Sequence, residues 1–180
     1  MNIYTKTGDQ GETKLLYGDT VPKDSLAPEA YGSVDELVSS LGLIRAEKEL
    51  PIEIKETLLR IQRELFVVGA ELATSKENRT KLKAKKTLVE NSMVEVLEKE
   101  IDFLQEKNGI PQFFVVPGEN IISAKFEWSR VVSRRAERKC VTWQNRLEID
   151  DSKVVTYLNR LSDLLWMLAR DFEEDWTPSK

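Results

Sequence analysis

Along most of this chain apolar residues recur at intervals of three and four, and that spacing predicts five helices. The first spans about residues 29–48, with Ala30, Val34, Leu37, Val38, Leu41 and Ile44 on one stripe. Pro28 stands near its first turn, where proline suits a helix start. The second, about 51–74, buries Leu58, Ile61, Leu65, Val68 and Leu72. Phe66, Gly69 and Ala73 make a neighbouring face whose small residues suit close helix contact. The third, about 88–107, carries Val89, Met93, Val96, Leu97, Ile101 and Leu104 and stops at the Asn108-Gly109 cap signal. A short extended piece, 112–116, lies between two prolines, and the fourth helix follows the Pro117-Gly118 turn. The fifth, about 152–174, is patterned by Val155, Leu158, Leu161, Leu165, Leu168 and Phe172. Five such patterns on short links predict an all-α, antiparallel five-helix bundle, up-down in its core.

Three stretches break the pattern. Residues 2–25 are punctuated by Gly8, Gly11, Gly18 and Pro22 and read as loop, with a short strand at 15–17. Residues 75–87 are polar and basic and read as a solvated connection, or as a mobile basic flap that steers an anionic substrate. Residues 176–180 read as a tail. The whole, 1–180, is expected to be one domain: the loop at 1–25 and the bundle at 29–174.

Charge enters most sharply in the fourth helix. Arg130, Arg134 and Arg138 are four apart and form one stripe, with Arg135 beside it and Glu127 and Glu137 close by. Val131, Val132 and Ala136 flank it. The stripe is either a solvated mixed-charge face or a site for a polyanion, since guanidinium forks match phosphate oxygens. Nucleic acid is disfavoured: 27 basic residues face 31 acidic ones, for a net charge of -4. The glycine-punctuated loop adds Thr5, Lys6, Thr7, Asp9, Thr13 and Lys23, groups of the kinds that hold phosphate and Mg²⁺. It lacks the spacing of a P-loop, and a frayed terminus is the competing reading. Asp35 is either a surface carboxylate or a partner for an arginine. Asn159, Asp163, Trp166 and Arg170 form a polar stripe on the last helix. Asn159 there needs either an interhelical hydrogen bond or a share in the arginines' ligand.

Composition narrows the chemistry. The chain has no histidine, which removes Ser-His and Cys-His nucleophilic pairs, imidazole bases and histidine metal ligands. The single Cys140 permits no internal disulfide, and patterned sequence starts right after Met1 with no targeting peptide, so a cytoplasmic protein is expected. No apolar run approaches the roughly 20 residues that span a bilayer.

Taken together, the motifs resemble a known family. TKTGDQGETKLLYG at 5–18, EAYGSVDEL at 29–37, IQRELFVVGAELA at 61–73, FVVPG at 114–118, RVVSRRAER at 130–138 and YLNRLSDLLWMLAR at 157–170 are similar, in order and over nearly the full length, to the PduO-type ATP:cob(I)alamin adenosyltransferases. The resemblance implies a homotrimer of five-helix bundles with sites between subunits. It also implies transfer of the 5′-deoxyadenosyl group of ATP to the cobalt of a corrinoid, with release of triphosphate. By motif, Thr5, Lys6, Thr7, Gly8, Asp9, Gly11, Thr13 and Lys23 would wrap the phosphates and Mg²⁺. Arg134, Arg135, Glu137, Arg138 and Asn159 would complete the nucleotide site. Arg130 would pair across the subunit boundary with Asp35, and Phe114 would occupy the lower face of the corrinoid. A flavin-dependent reductase is a candidate partner; no nucleic acid and no membrane are expected.

Several positions depart from the family pattern. Glu119 follows Gly118 where a second glycine is common, Glu127 stands where a histidine commonly precedes the first arginine, and Thr20 and Pro22 flank Val21 where an arginine is common. Glu127 is expected to pair locally with Arg130. The competing functional class is a module that binds ATP or corrinoid without catalysis.

Overall fold

The structure, a computed structural model, describes Tyr4, Lys6 and residues 8–180. A small antiparallel hairpin, β1 (Glu12–Lys14) and β2 (Thr20–Pro22), precedes the helices α1 (Leu26–Arg45), α2 (Ile52–Leu72), α3 (Asn91–Asn108), α4 (Ile121–Leu147) and α5 (Val154–Asp171). A 3₁₀ helix, Lys76–Lys81, lies between α2 and α3. All five predicted helices form, and the bundle is the all-α one expected. Their ends differ from the periodic reading. α1 begins three residues before position 29, because Pro28 in the first turn lacks only an N–H that no helical carbonyl would accept. α3 ends where Gly109 takes a positive φ of 75°, a conformation open to glycine.

The helices neighbour one another in the order α2, α1, α4, α5, α3. α4 is central, packed on both α1 and α5: the middle of its inward face is mostly small, with Ser129, Ser133, Ala136 and Cys140 buried between the larger Phe126 and Trp143. Val132 is buried as well, whereas Val131 is exposed. The predicted core stripes of α1, α2 and α5 are buried almost throughout, from Leu37, Leu41 and Ile44 to Leu158, Leu161 and Leu165. Val96 departs from its stripe and is exposed, since α3 packs closely only on α5. Side chains join α2 to α3 instead. Tyr157 donates to Glu64 at 2.7 Å, Glu64 pairs with Arg60, and Arg60 reaches Glu100 at 2.6 Å.

The three pattern-free stretches are more ordered than the sequence reading expected. The strand expected at 15–17 is instead the turn of the hairpin: Gly18 has φ 100°, and Leu15 and Asp19 close the turn through a 2.8 Å backbone bond. The hairpin is tied down, not frayed. Leu16 N–H donates to the Ala73 carbonyl at 2.8 Å, and Asp19 accepts from Ser75 and Asn78, which hold its carboxyl below the usual range. The connection at 75–87 is likewise anchored. Arg79, from its 3₁₀ helix, pairs with Glu71 and Asp151. Glu71 has no exposed surface, and it also accepts from Val89 N–H and Ser152. One buried carboxylate thus ties α2 to the starts of α3 and α5, and a carboxylate so placed is held only because its lone pairs are used. The tail at 176–180 is paired too: Val116 N–H donates to Thr177 and Ser179 N–H to Phe114, both at 2.8 Å. No helix of the described residues is long and apolar enough to cross a membrane.

Burial pushes the Cys140 thiol up to about 12, with the nearby Glu137 carboxylate adding to the effect. The folded chain therefore favours the neutral thiol, and this site opposes stability only as pH rises above the unfolded value of about 8.5. Native protein at pH 8 is expected to leave Cys140 unreacted with Ellman's reagent, while one thiol per chain titrates in guanidinium chloride. Rapid native labelling would overturn the inert assignment.

Candidate functional site

α4 distributes its charges to three sides. Toward α1, Lys139 pairs with Glu29 at 2.8 Å, and Arg135 and Lys125 pair with Glu36 and Glu47. Toward α5, Arg134 lies 3.5 Å from the Ser162 hydroxyl and 3.7 Å from Glu137. Asn159 donates to Glu137 at 3.3 Å and accepts from Arg160 at 2.9 Å. Desolvation raises the pKa of Asp163, against the opposing pull of Arg160 and Arg134. Arg134, Glu137, Asn159, Ser162 and Asp163 therefore form one polar face across α4 and α5. Arg138 is exposed and makes no ion pair among the described residues. Its helix position, one turn beyond Arg134, places it on the same stripe. Of the two readings of Asn159, the interhelical hydrogen bond is the one seen, to Glu137.

The face mixes charges, and its guanidinium is loosely held. Arg134 is about half exposed, and its contacts of 3.5 and 3.7 Å are longer than a good hydrogen bond. A guanidinium so held keeps most of its donors for an anion.

At the third side, Arg130 donates from Nε to Glu127 at 2.6 Å, the local pair expected at this departure. The polar stripe read on α5 divides here. Asn159 and Asp163 belong to the Arg134 face, but Arg170 does not. Arg170 has 1% exposure and meets Glu127 at 3.0 Å and Glu173 at 2.6 Å, under a Trp166 ring whose centroid is 5.4 Å away.

Phe114 sits between α3 and α4 and is 87% exposed, the most exposed large apolar side chain among the described residues. Its backbone is nonetheless held, through the Ser179 bond, and the α4 start beside it is capped. Asn120 accepts from the Ile122 and Ser123 N–H groups, Ser123 returns the bond, and the Asn120 amide donates to the Phe172 carbonyl at 2.6 Å. A rigid backbone thus presents a bare aromatic ring.

The hairpin lies against the end of α2, and the described part of the glycine loop folds onto its Lys23 end. Thr5 and Thr7 fall outside the described residues. Lys6 has φ 61° and Gly11 φ 82°, and Lys23 N–H donates to the Gly11 carbonyl at 2.8 Å. The Lys23 ammonium rests on Gly8, where any Cβ would come within 3.0 Å of it. Asp9 and Lys23 are exposed, and Thr13 pairs with Val21 in the hairpin. Among the described residues no hydrogen bond or ion pair joins this loop to the arginine face. Asp35 is exposed on α1 and has no ion pair among the described residues. It lines a groove of about 340 Å³ with Tyr31, Gly32, Phe66, Gly69 and Ala73, the small-residue face read from α2.

Sequence reasoning missed Ser162 and Arg160 at the polar face. Both lie inside the quoted YLNRLSD run, so the signal was present, but helical spacing from Asn159 points to Asp163 and passes over them. Among the described residues no group of three or more acidic or sulfur ligands could hold a metal ion.

The family model for cobalamin adenosyltransferase matches residues 3–172. A corrinoid adenosyltransferase of Citrobacter freundii is 39% identical over 98% of this chain and 96% of its own length. One from Bacillus subtilis is 40% identical over 94% of this chain and 86% of its own. Among solved structures, a variant PduO-type ATP:corrinoid adenosyltransferase from Lactobacillus reuteri, complexed with cobalamin and ATP, superposes with a TM-score of 0.83 at 30% identity. That match covers 94% of this chain and 89% of the other.

Arg170→Met would leave Glu127 and Glu173 without their buried counter-charge. The expected cost is about 3–5 kcal/mol of stability, read from urea unfolding. Arg138→Ala, at an exposed position, is expected to change it by less than about 0.5 kcal/mol. Equal midpoints for the two variants would contradict the buried assignment.

Proposed function

Because the chain belongs to the cobalamin adenosyltransferase family, we propose that its Arg134 face and its glycine loop hold ATP together, between neighbouring copies, for attack by a reduced corrinoid. The activity is that of an ATP:corrinoid adenosyltransferase: the 5′-deoxyadenosyl group of ATP passes to the cobalt of cob(I)alamin, giving adenosylcobalamin and triphosphate. Cobalt(I) donates the electron pair that forms the Co–C5′ bond. The C5′–O bond breaks, and its pair leaves with the triphosphate. The substrate is the nucleophile, so the protein needs no base, consistent with a chain that has no histidine.

The carrying observation is the loosely held Arg134 guanidinium beside exposed Arg138. In this reading both, with Lys6 and Lys23 from the loop, stabilise charge on the departing triphosphate. Arg135 adds its charge from the α1 side, while Glu137 and Asn159 orient the face. The backbone N–H groups of Gly8 and Gly11 and the hydroxyls of Thr5, Thr7 and Thr13 wrap the phosphates. Mg²⁺ would be held mainly by phosphate oxygens, with Asp9 and Thr13 as hard oxygen donors of the right kind, and would neutralise charge there. Phe114 occupies the lower face of the corrinoid. A bare ring on a fixed backbone offers no donor below the metal, so a four-coordinate cobalt(II) becomes easier to reduce.

This reading takes the protein as a homotrimer, since within one chain no bond among the described residues joins the loop to the arginine face. In that assembly Asp35 pairs with Arg130 of a neighbouring copy; the groove at Phe66 and exposed Leu43 and Trp128 supply apolar surface for burial. We place the protein in the cytoplasm as a single adenosyltransferase domain, its one cysteine a buried free thiol. A flavin-dependent reductase would supply the electrons for cobalt(I).

Arg134→Ala and Lys6→Ala are each expected to lower turnover by about 10²- to 10³-fold with helicity retained. The assay is anaerobic formation of adenosylcobalamin from ATP and reduced cobalamin; wild-type rates in either variant would defeat the proposed site. Phe114→Ala is expected to bind ATP normally but to adenosylate cobalamin slowly. Full activity in that variant would remove the role given to the ring.

A further inference from the structure

We propose that Glu127 is a positioning residue for Arg130, held in place by Arg170 and Glu173. This rests on the reading above that Arg130 serves the site. The four side chains alternate in sign: Glu173, Arg170, Glu127, Arg130. Glu173 meets Arg170 at two nitrogens: one oxygen accepts from Nη2 at 2.8 Å, and the other lies 2.6 Å from Nε as an ion-pair contact without hydrogen-bond geometry. Arg170 meets one Glu127 oxygen through Nη1 at 3.0 Å. The other Glu127 oxygen accepts from Arg130 Nε at 2.6 Å. Three of the four are almost fully covered: the side chains of Glu173, Arg170 and Glu127 are 1%, 1% and 6% exposed, whereas Arg130 emerges at 27%.

The covered part is rigid for an electrostatic reason. A buried guanidinium between two carboxylates cannot swing away without leaving an uncompensated charge, so each group fixes the next. Glu127 then holds Arg130 by its Nε edge, and the terminal nitrogens at the far end of the fork make no ion pair among the described residues. The chain of charges also starts from the segment that positions Phe114. Glu173 follows α5 directly, and residues 177–179 pair with the backbone at Phe114 and Val116. One short segment thus sets the aromatic ring by backbone bonds and the arginine by buried charge, and it ties the two positions together. Glu127 touches neither substrate in this scheme; its effect passes through Arg130.

The test is a double-mutant cycle on the full-length protein. Glu127→Gln replaces one oxygen with an amide that cannot accept from both arginines, and Glu173→Gln loosens the far end. Each is expected to lower kcat on the order of tenfold, with KM for ATP little changed, as for a misplaced group. In an Arg130→Ala background neither should lower kcat further, because the group they act through is gone. Equal, additive losses in both backgrounds would overturn the proposal, since a general loss of stability acts regardless of Arg130. Thermal melting of every variant identifies any that fails to fold; the remaining glutamine variant then carries the cycle. Wild-type kcat in Arg130→Ala would instead overturn the reading of Arg130, and this proposal with it. Wild-type kcat in both glutamine variants alongside an impaired Arg130→Ala would overturn the positioning role alone.

Discussion

A positive charge with almost no contact with water sets the terms for one end of this molecule. Arg170 is 1% exposed, and a guanidinium in that position is tolerated only with counter-charges in reach. Glu127 from α4 and Glu173 from beyond α5 supply them. Satisfying that charge therefore draws the start of α4, the last turn of α5 and the segment after it into one place. The Asn120 cap, the Phe126–Phe172 stack and the pairing of 114–116 with the tail all sit around this point. The bare ring of Phe114 stands on that frame.

The opposite arrangement governs Arg134. There the guanidinium is half exposed, and the oxygens it bonds or pairs with among the described residues lie at 3.5 and 3.7 Å. Four of the five arginines on α4 are thus used in different ways. Arg135 pairs with Glu36 of α1, Arg130 is gripped along one edge, and Arg134 and Arg138 remain open to an anion. α4 can carry so many charges because the middle of its inward strip is mostly serine, alanine and cysteine, which lets the neighbouring helices close on it. Chemistry in which the substrate corrinoid is the nucleophile asks for this kind of surface: cations open to an anion, an exposed aromatic and no proton shuttle.

Much of the bundle was legible from spacing, because burial of one face per helix is a local, periodic demand. Leu37, Leu41, Leu58, Leu65, Leu158 and Leu165 were read correctly for that reason. Val96 was not, since its exposure depends on which neighbour α3 lacks. Of the candidate site, the cationic stripe and Asn159 were legible from four-residue spacing and from motif order. The polar anchors were not. Arg79 looked like one more charge in a basic connection, and Arg170 like a member of the Asn159 stripe, because no pattern along a chain announces the carboxylate waiting on a distant segment.

The amino-acid order alone settled the helix content, the inward faces, the want of imidazole chemistry and the family to which the motifs point. Each follows from properties that a residue shares with its near neighbours or carries in its own side chain. Folding in three dimensions determined which charges are consumed and which are left for a ligand, that residues 12–22 form a pinned hairpin, and that the final residues brace the backbone at Phe114. Those outcomes turn on groups far apart in sequence, where the cost of burying an unpaired charge selects the partner.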